Sequence, residues 1–74
     1  MSSQTEIFVS LLDEQVEVRR PVQAKHVQDD VYKITDQPYD REVETWQFEP
    51  GDEVVCKLID SDDGQILAAM RRAD

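Results

Sequence analysis

The sequence predicts an all-β fold: a five- to six-stranded antiparallel sheet, or an SH3-like or OB-like barrel, with residues 1–74 as one acidic domain. Three observations lead there. Strand-length apolar runs rich in valine, isoleucine and aromatic residues are separated by turn formers, QDD at 28–30, DQPYD at 36–40, EPGD at 49–52 and DSDDG at 60–64. Within the runs, apolar side chains recur at every second position, the period of a pleated strand with one face in a core. A chain this short buries only about 60% of the surface its unfolded form exposes, so nearly every large apolar side chain is needed inside.

The first segment reads two ways. SQTE matches a capping box, with Ser3 as N-cap and Glu6 three places on, and Ile7, Phe8, Leu11 and Leu12 fall at helical spacing. IFVSLL is also β-branched, aromatic and followed by the acidic pair at 13 and 14, which favours a strand with Ile7, Val9 and Leu11 inward. The strand is the reading adopted and a short N-terminal helix is its alternative.

VEVRRPVQAKH alternates through Val16, Val18, Val22, Ala24 and His26, with Arg20 on the same phase. Pro21 cannot donate to a ladder, so this strand is expected at an edge or with a bulge near Arg20 and Pro21. DDVYKIT supplies a short strand with Tyr32 and Ile34 on one face, and Trp46 and Phe48 alternate after the DQPYDRE loop. The clearest element is the last hairpin. Val54, Cys56 and Leu58 share a face, Ile66, Ala68 and Met70 share one on the returning strand, and SDDG between them offers Gly64 for a positive φ.

Most of these inward residues are small, so the single tryptophan, Trp46, is expected to fill volume in the core. The competing role is an exposed aromatic cage of Trp46, Tyr39 and Tyr32 for methylated lysine or proline-rich peptides.

Most chemistry is missing. DSDDG departs from a calcium loop because, counted from Asp60, glycine comes at position five and Arg71 stands at position twelve. Cys56 and His26 are each alone of their kind, which excludes an internal disulfide and a cysteine zinc site. Phosphate-binding glycine loops, paired histidines and serine elbows are absent. No enzyme activity, cofactor or metal is therefore expected. MSSQTE has no leader character and no segment approaches the ~18 apolar residues of a membrane span, so a soluble protein of the reducing cytoplasm is expected.

Seventeen acidic side chains against eight basic ones give a net charge of −9, which repels nucleic-acid phosphates and anionic lipid headgroups. Residues 36–63 carry ten acidic and only two basic side chains, Arg41 and Lys57. The expected partner-binding residues are Asp36, Tyr39, Asp40, Glu42, Glu44, Glu49, Asp52 and Glu53. They describe a protein-interaction domain, an adaptor or accessory unit, whose acidic face steers a basic protein partner. The alternative is an inhibitor or immunity-type protein that blocks a nuclease or DNA-binding effector by imitating phosphates. The bland reading is that the carboxylates keep a small domain soluble, as a monomer or weak homodimer.

Through RPVQA, VYKI and WQFEPGDEVVCK, the chain resembles a group of short bacterial proteins sharing an Arg-Pro-Val element, a Tyr-x-Ile element and a Trp-x-Phe element leading into a Pro-Gly corner. The resemblance covers residues 16–58. It implies a small β-rich domain and carries no catalytic or ligand residue across.

Overall fold

A computed structural model describes residues 4–12, 14–62 and 64–73. The described residues form six strands and no helix: β1 (Thr5–Leu12), β2 (Arg19–Gln28), β3 (Val31–Ile34), β4 (Thr45–Trp46), β5 (Glu53–Ser61) and β6 (Gly64–Arg72). The first segment is thus a strand. Ser3, the N-cap of the helical alternative, lies outside the described residues, as does Asp63 of the last turn.

Five strands close a ring in the order β1, β2, β3, β5, β6 and back to β1. The first four pairings are antiparallel, whereas β6 meets β1 in parallel, with Phe8 beside Ala68. An up-and-down meander with an odd number of strands brings its first and last strands together pointing the same way. The sheet is therefore mixed rather than purely antiparallel. β4 adds a sixth strand on the far end of β1, pairing Leu11 with Trp46 and Leu12 with Thr45.

The ring encloses Ile7, Val9, Val22, Ala24, Ile34, Trp46, Phe48, Val54, Cys56 and Ala69, with Leu11, Tyr32, Tyr39 and Leu67 packed against them. Several expected inward residues are elsewhere. Val16 lies in the β1–β2 connection and is exposed. On β6 Leu67 faces Leu58 and Ala69 faces Cys56, which sets the phase of the ring interior, while Ala68, expected inward, is on the other phase and is buried as well, at 2% exposure. Ile66 lies opposite Ile59 on the outer face, and Met70 is the extra residue of a bulge between the Val55–Arg71 and Cys56–Ala69 pairs. Leu58 keeps the inward phase but is 59% exposed, because β5 runs on past its neighbour β3.

The bulge expected near Arg20 and Pro21 is absent. The β1–β2 register is continuous there, with Arg20 opposite Val9 and Pro21 opposite Phe8, and the irregularity falls between His26 and Gln28. Pro21 is instead at an edge, since β3 pairs with β2 only from Ala24 onward. At that edge the Gln37 side chain takes the place of a strand. Its Oε1 accepts from the Gln23 N–H at 3.1 Å and its Nε2 donates to the Gln23 carbonyl at 2.8 Å.

Candidate interaction surface

Residues 35–44, which join β3 to β4, carry five of the eight expected partner-binding residues. Gln37 ties one end of the loop to β2. Asp40 folds the middle: its Oδ1 accepts from the Glu42 N–H, and its carbonyl accepts from the N–H groups of Val43 and Glu44. Tyr39 anchors the loop to the core. Its ring stacks on Trp46 at 4.4 Å, and its hydroxyl accepts the Trp46 backbone N–H at 2.9 Å.

Trp46 is 3% exposed, so it fills the core and presents no open cage face. Its indole N–H donates to Glu44 Oε1 at 2.8 Å, and the same oxygen accepts from Arg20 Nε at 2.9 Å. The Arg20 guanidinium also lies 5.9 Å from the Trp46 ring centroid. Arg20 thus uses its place on the core phase of β2 to reach the end of the ring, where it neutralises one acid of the loop. Arg20, Pro38, Tyr39, Asp40, Val43 and Glu44 border an open depression of about 420 Å³.

The other three expected residues belong to the corner that leads into β5. Pro50 and Gly51 form its turn, with Gly51 at φ 97°, and the Asp52 N–H donates to the Glu49 carbonyl at 3.0 Å. Asp52 Oδ2 accepts from the Glu49 N–H, and the Asp52 carbonyl accepts from Ile34 N–H, which docks the corner on β3. Glu49 pairs with Arg41 at 2.7 Å, and Asp52 pairs with Arg72 at 3.5 Å. Glu53 is exposed and lies opposite Lys33 in the β3–β5 register.

The structure therefore brings the eight residues to the end of the molecule where β5 begins. Asp60 and Asp62 lie at the other end of β5, at the β5–β6 tip, where Asp62 borders a separate depression with Phe8, Arg19, Ser61 and Ile66. Three of the eight, Glu44, Glu49 and Asp52, are held in ion pairs; Asp36, Asp40, Glu42 and Glu53 have no cationic partner among the described residues. The arginines that enter this surface, Arg20 and Arg72, come from distant strands, and no sequence spacing announces them.

Burial, and then the negative charge of Asp30, push the Cys56 thiol from its ordinary 9.0 up to about 11, away from thiolate chemistry. His26 is occupied by the Asp29 carbonyl, to which its Nε2 donates at 2.7 Å, and by the Tyr32 ring at 5.0 Å. Among the described residues, no three metal-ligating side chains converge and no helix is long and apolar enough to cross a membrane. Comparison with protein-family models, with curated proteins and with solved structures finds no match for this chain.

Proposed function

We propose that the protein is a small interaction domain that captures a basic protein through the 35–44 loop and the adjoining corner. The observation that carries this reading is the charge left after internal pairing. Of the fourteen acidic side chains among the described residues, four are in ion pairs and ten are not, against four unpaired cations. At the loop and corner, the unpaired carboxylates stand on backbone held by Gln37, Tyr39 and the Pro-Gly turn, so they meet a partner without first being ordered.

A fluorescein-labelled lysine–proline repeat of twelve residues tests the reading, because proline prevents it from adding to a sheet edge. Binding is followed by anisotropy at low and physiological salt. Reversing Asp36, Glu42 and Glu53 to lysine is expected to weaken binding at least tenfold. Reversing Glu6, Glu14 and Asp62, an equal change in net charge, is expected to weaken it less than threefold. Equal losses from the two triple variants would show attraction to the whole molecule and remove the proposed face.

A further inference from the structure

We propose that the part of β5 beyond β3 is a second docking site, which takes an extended basic segment of another protein as an added strand. β3 is short and pairs with β5 only from Lys33–Glu53 to Val31–Val55. The next contact is the Cys56 N–H donating to the Asp30 carbonyl at 2.8 Å. From there β5 continues through Leu58 and Asp60 with β6 on one side and, among the described residues, no strand on the other.

The direction of the free groups follows from the ladder. In an antiparallel pair, alternate residues turn both amide groups toward the partner strand and the others turn both away. Cys56 aims its N–H at Asp30, away from β6, so Leu58 and Asp60 present their N–H and carbonyl groups at the same open edge. The edge of β2 at Gln23 is in the same position, but there the Gln37 side chain closes it. Among the described residues nothing closes the edge at Leu58 and Asp60.

The side chains beside this edge specify what fits. Tyr32, Cys56, Leu58 and Leu67 line a largely apolar groove of about 520 Å³, with Leu58 59% exposed. Asp30 of the β2–β3 turn and Lys57 complete its lining, and along the open edge itself Asp60 follows Leu58 at the next outward-turned position, so two carboxylates stand against one cation. A second copy of this chain would bring the same carboxylates to the contact and is repelled. A foreign strand with apolar side chains at every second position and lysine or arginine between them satisfies the backbone, the groove and the charge together. The site shares no residue with the loop and corner.

The probe is a fluorescein-labelled nine-residue peptide of alternating lysine and valine, followed by anisotropy. A valine–glutamate peptide and a lysine–valine peptide with proline at its centre serve as controls. The lysine–valine peptide is expected to bind at least tenfold more tightly than either control. Asp30→Lys with Asp60→Lys is expected to weaken it at least tenfold, whereas the Asp36, Glu42 and Glu53 reversal changes it less than threefold. Equal binding of the proline-containing peptide would mean that charge alone attracts and would overturn strand addition. Equal binding of the glutamate peptide, or sedimentation of the free protein as a dimer that Leu58→Lys dissociates, would overturn the choice of occupant.

Discussion

At the scale of single residues, Trp46 is where core and surface are joined. Its ring occupies volume that the valines and alanines around it cannot fill, and its two N–H groups bind Tyr39 and Glu44 on the loop. Trp46→Phe removes the indole donor and leaves a void beside Tyr39. The expected cost is about 2 kcal/mol, read from urea unfolding with an unchanged denaturant slope. In the native protein, iodide should barely quench Trp46 fluorescence. Cys56 gives a second residue-scale prediction. Because folding raises its pKa, the native state holds the thiol proton more tightly than the unfolded chain does. That contribution is complete below pH 9 and is lost as the pH rises toward 11. The difference in unfolding free energy between wild type and Cys56→Ser should therefore be flat from pH 7 to 8.5 and shrink by roughly 2 kcal/mol by pH 11. Tyrosine and lysine titration is common to both proteins and cancels.

At the scale of elements, Gln37 shows how a side chain completes a sheet. By occupying both amide groups of Gln23 it seals β2 and fixes the start of the acidic loop. Gln37→Ala is expected to cost about 1 kcal/mol and to speed hydrogen exchange at the Gln23 amide by at least tenfold, while exchange at Ile7 and Val54 changes only with global stability. The role was not legible in the sequence, since it depends on two residues fourteen positions apart being brought together by β3. The β5–β6 hairpin was legible, because Val54, Cys56 and Leu58 alternate and Gly64, at φ 104°, is placed where its turn requires it. The phase of β6 was not, because QILAAM is apolar at both odd and even positions and alternation cannot choose between them. Met70 then takes up the mismatch as a bulge. Alternation puts Leu58 on the inner phase, where it lies, but does not reveal that it is exposed, since the length by which β5 outruns β3 is a property of the pairing.

At the scale of the whole molecule, the ring separates two ends. One carries the loop and corner, with carboxylates held on ordered backbone; the other carries the open edge of β5 beside Leu58 and Leu67. The sequence shows a single acidic stretch from 36 to 63, but β5 carries the last acids of that stretch away from the corner to the β5–β6 tip, where Asp62 borders Phe8, Arg19 and Ile66. Ion pairs divide the charge further: Arg20, Arg41 and Arg72 neutralise Glu44, Glu49 and Asp52, leaving Asp36, Asp40, Glu42 and Glu53 as the groups that distinguish this end. Charge complementarity of this kind governs how quickly a partner arrives more than how tightly it stays. The most direct test of the proposed capture is a two-dimensional NMR titration of the nitrogen-15-labelled protein with the lysine–proline repeat. Amide shifts are expected to concentrate in residues 35–44 and 49–53 and to vanish with the Asp36, Glu42 and Glu53 reversal; shifts of equal size at both ends of the ring would contradict it.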